Sequence, residues 1–352
     1  MSVTSPSVEE WRALYQAAGR FYDLRPWTWL HEDQLFGVVN PEDGEVGYCS
    51  VMGSLGQHLA LAVYLGTEGL GSYFALRDAE EGTYDVIDAY IEQKSLQASF
   101  EDREFLTDQD RQVIRSLGLK FRGRQAWPLF RDLHPGYAPW YLTAAQARFL
   151  TLALEQAAEV AARFRKHPEE LSIETGHCLV RFVQPSPEGQ KWAEEWQPLP
   201  EEFPLPELTF SQDQEAVQLL REQSAHKERR GALELDHFYV PGLIGERGER
   251  PYHIRELLLV DHGSGFILAH ELVSPGTLGQ AILSVVHTGL GALEIWPCQI
   301  GVRREELAPL IEYLVAPLGI ETVLVDYLPM MVEIQQMMSQ FFGGGNLLEV
   351  DE

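Results

Sequence analysis

Residues 234–273 read ELDHFYVPGLIGERGERPYHIRELLLVDHGSGFILAHELV, and this run decides how the second half of the chain folds. It predicts three consecutive strands. Asp236 lies in the first, Asp261 closes the second, and a tight Gly263-Ser264-Gly265 turn leads into the third. Glycine suits such a turn because it accepts a positive φ without a Cβ clash. Downstream, the patterning predicts helix, strand, helix, strand and helix. The fourth strand is read at residues 293–296 (LEIW) and the last helix at residues 330–341.

Upstream of this region, residues 197–208 (QPLPEEFPLPEL) are proline-rich and acidic, as domain boundaries often are. The expected organisation is a domain over 1–200, a second over 206–342, and a flexible tail over 343–352. A polar connecting helix is expected over residues 213–227. The fold class is α+β or α/β in two domains. In the first, Ser7 and Glu10 form a capping box ahead of the helical face Trp11, Leu14, Tyr15, Ala18, Phe21 and Tyr22. Strands are expected at 35–39, 45–52, 58–65 and 96–100, with the Asp43-Gly44 turn joining the first two. Thr67 is expected to cap a helix, Thr107 and Asp110 to open another, and Thr143 to start the longest one. A hairpin is expected near 178–183 and 190–196.

Composition narrows the function classes. The chain has 352 residues, long enough for two cores. Lys+Arg 27 against Asp+Glu 53 gives a net charge of −26, which repels a phosphate backbone and argues against nucleic acid as a partner. Cys49, Cys178 and Cys298 are odd in number and far apart. That argues against a disulfide framework and a zinc knuckle, and fits a reducing cytoplasm. The N-terminal residues show no basic and apolar leader, and no run approaches a membrane span, so a cytoplasmic, membrane-free protein is expected.

The runs FGVVNPEDGEVGYCSVMG (36–53), FEDREFL (100–106) and FRGRQAWPLFRDLHPGYAPWYLT (121–143) resemble a bacterial family known only as a domain of unknown function. The second half resembles another uncharacterised bacterial domain. At greater distance, its strand-strand-strand-helix-strand-helix-strand-helix order is similar to the ribonuclease H-like core of integrases and transposases. In those enzymes a first-strand Asp, an Asp after the fourth strand and a carboxylate on the last helix hold two metal ions. The resemblance puts Asp236 in the first position and Glu333 on the last helix. At the end of residues 293–296 the chain reads Trp296-Pro297-Cys298 and offers no carboxylate.

Two sets of residues could carry chemistry. Asp236, Asp261 and Glu333 form the candidate catalytic acids of a metal-dependent nuclease or related phosphoryl-transfer enzyme, since hard Mg²⁺ needs converging oxygen ligands. Each also has an ordinary structural role: an apolar strand, a tight turn and a solvated helix face. His237, His262 and His270 lie nearby in sequence but need only be strand and turn residues. The second set is Arg122, Arg124 and Arg131, interleaved with Phe121, Trp127, Phe130, Tyr137 and Trp140 in a segment (119–142) expected to be a loop. Guanidinium groups stacked on rings could grip a carboxylate or phosphate. Arg122, Arg124, Trp127, Arg131 and Trp140 are the expected ligand or partner surface. No phosphate loop, dinucleotide fingerprint, nucleophile elbow or zinc helix motif is present. The expectation is a non-catalytic protein that binds an unknown protein or a small anionic ligand, with no metal and no cofactor. The metal-dependent nuclease is the alternative.

Overall fold

Helix α1 (Val8–Leu24) starts where Ser7 Oγ accepts from Glu10 N and Glu10 returns the bond to Ser7 N. It stops at Arg25, which is left-handed (φ 53°) ahead of Pro26. The structure is a computed structural model and describes residues 4–79, 84–186, 189–203, 208, 218, 220–222 and 227–341. The tail over 343–352 and most of the connecting helix expected over 213–227 lie outside the described residues.

After α1 come strands β1 (Leu35–Val39), β2 (Val46–Met52) and β3 (Leu59–Leu65), then helices α2 (Gly66–Asp78) and α3 (Tyr84–Ile91). Next are β4 (Ser95–Glu101), α4 (Asp108–Ser116), β5 (Trp127–Leu133), α5 (Ala144–Arg163), β6 (His177–Ser186) and β7 (Gly189–Pro198). The later elements are β8 (Ala232–Ile244), β9 (Tyr252–Asp261), β10 (Ile267–Val273) and α6 (Leu278–Gly291). They are followed by β11 (Gln299–Val302), α7 (Ala308–Val315), β12 (Glu321–Leu324) and α8 (Pro329–Phe341). The chain divides into two units. The first takes α1 to β7, except that α3 and residues 136–138 group with β8 to α8 in the second.

The first unit is built on a mixed seven-stranded sheet in the order β5-β4-β3-β2-β1-β6-β7, antiparallel everywhere except between β1 and β6. Strand alternation sorts its side chains. Leu61 and Val63 of β3, with Cys49 and Val51 of β2, join the core under α1 and α5. Ala62, Tyr64 and Tyr48 face the other way, against Leu70 and Tyr73 of α2. Gly47 permits the close approach of α5: a Cβ there would lie 2.6 Å from Val63 and 2.7 Å from the Phe149 ring.

Two readings of the first unit need correction, and one helix that groups with the second unit was not read. Thr67 lies inside α2, which begins at Gly66, so it is not the cap. The short helix α3 had no sequence signal that stood out. The segment over 119–142 contains strand β5 and is not loop throughout. Pro128 is tolerated there because β5 is an edge strand whose named strand neighbour is β4 alone, so its missing N–H leaves no ladder bond unmade on the open side.

The second unit has a mixed five-stranded sheet, β10-β9-β8-β11-β12. Its first three strands are antiparallel neighbours, whereas β8/β11 and β11/β12 are parallel. Parallel neighbours need a crossover, and α6 and α7 precede and follow β11 as such crossovers require. Leu233, Leu235, Leu257 and Leu259 face α6 and α7, while Phe238, Leu258 and Val260 pack with Met331 and Ile334 of α8. The fourth strand is β11, not residues 293–296. Pro297 lacks an amide hydrogen, so upstream of it the chain makes only an isolated parallel bridge between Trp296 and Arg229. Fully buried Trp296 anchors that stretch.

Candidate functional site

Strand β8 has thirteen residues and its parallel neighbour β11 only four, and the pairing ends at Leu235 opposite Val302. The backbone groups of His237 and Tyr239 lie beyond that point on the same edge, and buried backbone groups need partners. Side chains supply them. Arg304, two residues past the end of β11, donates from Nη2 to the His237 carbonyl (3.1 Å). Asp88 of α3 accepts from Tyr239 N through Oδ1 (3.2 Å). Arg304 and Asp88 also pair directly, through Nη2 and Oδ2.

Asp236 completes the cluster. It is 1% exposed, and its Oδ1 accepts from Arg304 Nε (2.9 Å) and from His237 N (2.8 Å). Its Oδ2 faces Arg303 Nε at 3.3 Å. Arg304 thus bridges two buried carboxylates, one on β8 and one on α3. Arg255 of β9 lies over the Tyr239 ring, 4.7 Å from its centroid, within the field of Arg304, Asp88 and Glu306. The cluster thus sets positive charge on Arg255, Arg303 and Arg304 against negative charge on Asp88, Asp236 and Glu306.

This arrangement does not remove the strain of burial. Desolvation raises the Asp88 pKa above its ordinary value even though Arg304 and the Tyr239 amide oppose it. Burial works against the Arg304 charge, but Asp236, Asp88 and Glu306 outweigh it and hold the guanidinium protonated. Burial, with some repulsion from Arg304, brings Arg255 down to about 10. His237 is pushed well below the usual imidazole range by burial and then by Arg304 and Arg303, so it is neutral. Neither of its ring nitrogens has a hydrogen-bond partner, and Glu306 Oε1 is 4.0 Å from Nε2.

Of the acids proposed from sequence, only Asp236 lies in this cluster. Asp261 accepts from Ser264 N (2.8 Å) and Ser264 Oγ (2.7 Å), closing the β9–β10 turn. Glu333 is on an exposed face of α8. Among the described residues, no group of three or more His, Cys, Asp or Glu side chains could hold a metal ion. His262 pairs with buried Glu234 (2.6 Å), whose carboxylate also accepts from Met331 N at the start of α8 (2.9 Å). A carboxylate suits that helix end, where amides are unpaired and the dipole is positive. His270 pairs with Glu256 at 2.9 Å.

The arginine-aromatic residues are distributed differently. Arg131 makes a two-pronged pair with Asp110 of α4 (3.0 and 2.7 Å) and lies over Tyr141. Trp127 packs with Phe121, ring centroids 5.8 Å apart, and Trp140 with Tyr141 at 5.2 Å. Arg122 and Arg124 are exposed, the latter 3.6 Å from Asp102.

Sequence reasoning missed Asp88, Arg255, Arg303 and Arg304. The adjacent pair Arg303-Arg304 was the available signal, since it directly follows β11. Reading the fourth strand six residues early hid it.

Comparison with known families matches these architectures to domains without an assigned role. Residues 11–181 match a family described as a domain of unknown function (DUF7309). Residues 218–339 match a second, also described as a domain of unknown function (DUF6930). The chain therefore carries two domains of unknown function, each α+β with a mixed sheet. No curated protein matches it. Among the described residues, no helix is long and apolar enough to cross a membrane.

Proposed function

We propose that this chain is a non-catalytic binding protein whose second unit uses a ribonuclease H-like arrangement as a scaffold. The element order and the strand order β10-β9-β8-β11-β12 support the ribonuclease H-like reading. The observation that carries the non-catalytic reading is the placement of Arg303 and Arg304. In the enzymes of that class an acid follows the fourth strand and shares metal ions with the first-strand Asp. Here the fourth strand is followed by two arginines, and both face the first-strand Asp236. Two-metal catalysis needs carboxylates holding two cations about 3.5–4 Å apart. A guanidinium already neutralising Asp236 competes with any cation for that carboxylate. The ligand or partner is unidentified, and its chemistry is that of a protein surface or a small anion. Arg122 and Arg124, both exposed, remain a proposed partner surface in the first unit.

The test is a cleavage assay on DNA, RNA and hybrid duplex with Mg²⁺ or Mn²⁺, with thermal melting recorded at millimolar metal. The expected result is no cleavage and no metal-induced rise in melting temperature. Cleavage that disappears in a folded Asp236→Ala variant would overturn the reading in favour of a metal-dependent nuclease.

A further inference from the structure

We propose that the Arg304 guanidinium and the Tyr239 amide form an oxyanion-binding site on the second unit, and that Asp88 occupies it as an internal stand-in for a ligand. The proposal rests on the binding-protein reading and names the ligand chemistry: a singly charged oxyanion, the carboxylate or phosphodiester group of a small molecule.

The donors around Asp88 are of the kind that recognises such groups. One is a backbone N–H at 3.2 Å, and the other is a guanidinium that contacts the second carboxylate oxygen. Arginine in combination with backbone amides is a common way of gripping carboxylate and phosphate oxygens. These donors are held in place without Asp88. Arg304 is fixed from behind by Asp236 and the His237 carbonyl, and the Tyr239 amide is fixed by β8 pairing with β9. Arg303 and Arg304 keep 22% and 18% of their side-chain surfaces exposed, while Asp88 keeps 5%, so exchange requires Asp88 to move aside.

The charge of Asp88 itself selects the ligand class. Its carboxylate is a monoanion held by Arg304 and the Tyr239 amide, so withdrawing it leaves those donors short of one negative charge. A monoanion replaces that charge, whereas a dianion exceeds it. Desolvation disfavours ionised Asp88 in its place, and an external anion meets the same penalty there. A tethered carboxylate competes at an effective concentration on the order of millimolar or higher, so the intact protein should respond only to larger amounts of free anion.

The experiment uses the full chain with Asp88→Ala, melted in increasing sodium acetate or sodium dimethyl phosphate, with chloride holding the ionic strength constant. The expected result is a melting temperature that rises by several degrees with one of these anions in the variant. The wild type should require at least a tenfold higher concentration for the same shift. Response to acetate alone assigns a carboxylate ligand, and response to dimethyl phosphate a phosphodiester. Equal responses in variant and wild type, or none in the variant, overturn the proposal. Should Asp88→Ala not fold in chloride, recovery of its folding by acetate or dimethyl phosphate supports the site. Failure of both Asp88→Ala and Asp88→Asn to fold in either anion means that Asp88 is purely structural and also overturns it. Metal-dependent cleavage, by contrast, would remove the non-catalytic reading and leave the oxyanion response standing.

Discussion

Arg131 in the first unit and Arg304 in the second both sit against largely buried carboxylates, and they are held in different ways. Arg131 pairs with one acid, Asp110, through two parallel contacts. Asp110 is also the N3 residue of the α4 capping box, accepting from Thr107 N and Oγ1. That pair is closed, local and partly backed by a helix end. Arg304 instead divides its donors among Asp236, Asp88 and a strand carbonyl. It replaces the strand neighbour that β11 fails to provide. The first arrangement is what a stable surface-proximal pair needs. The second concentrates several dependencies on one side chain, so losing that side chain leaves more than one buried charge uncompensated.

The comparison is broken most directly by Arg304→Met. Asp88 and Asp236 would remain buried with fewer partners, and the His237 carbonyl would lose its donor. Removing one member of a buried charged network typically costs about 3–5 kcal/mol, so urea unfolding should show the second unit strongly weakened. Arg131→Met should cost less, about 1.5–3 kcal/mol for the lost charged hydrogen bonds, because Asp110 keeps its contacts to Thr107. If Arg131→Met were the more damaging change, the distinction drawn between the two sites would be wrong.

Acid should separate the units as well. His237 and His253 both have pKa values below the ordinary 6.5, with burial the leading cause for each. The unfolded chain binds protons there that the folded unit refuses. Their contribution to stability is therefore complete above pH 6.5 and is lost as pH falls below it. Asp88 and Glu256 are raised, chiefly by burial, and act in the opposite sense. What they contribute is present below their unfolded values and is lost as pH rises through their folded ones. In the first unit, Glu10 is lowered by the Ser7 amide and by Arg148, and Glu42 by Arg148. These contributions hold above pH 4.5 and fade below it. The difference between wild type and His237→Leu isolates the histidine part: between pH 7 and 5, amide hydrogen exchange in β8 and β9 should accelerate more in the wild type than in the variant. No such difference should appear in β2 and β3, and an equal difference in both sheets, or none in β8 and β9, would contradict the assignment.

Much of the architecture was legible because it rests on local chemistry. The capping boxes at Ser7, Thr107 and Thr143 are written in residues three apart, and α1, α4 and α5 begin at them. The three strands over residues 232–273 follow from apolar runs and one glycine-rich turn. The site was not legible in the same way. Asp88 and Arg304 are 216 positions apart, and no periodicity links a residue on a short helix with one after a four-residue strand. Asp236 could be singled out from its first-strand place in a ribonuclease H-like element order, yet its partners could not. The fourth strand was read at residues 293–296 and not at Gln299–Val302, so Arg303 and Arg304, which follow the true strand, were passed over.

The smallest expected effect belongs to Arg124→Met, and it sharpens the comparison from the side of the surface. Arg124 is 93% exposed and its distance to Asp102 is 3.6 Å, too long for a good hydrogen bond. Water screens such a pair, and exposed pairs often contribute nothing measurable to stability. Asp102 also has a better partner, since its Oδ1 accepts from Gln125 N at 2.7 Å. That bond holds Gln125 in a left-handed conformation (φ 47°), so the local turn does not depend on Arg124. Thermal melting should therefore be unchanged by Arg124→Met, in contrast to both Arg131→Met and Arg304→Met. Any loss of binding to a protein or anion caused by this variant would then be a loss of recognition and not of fold. A substantial drop in melting temperature would instead place Arg124 among the structural arginines and remove it from the proposed partner surface.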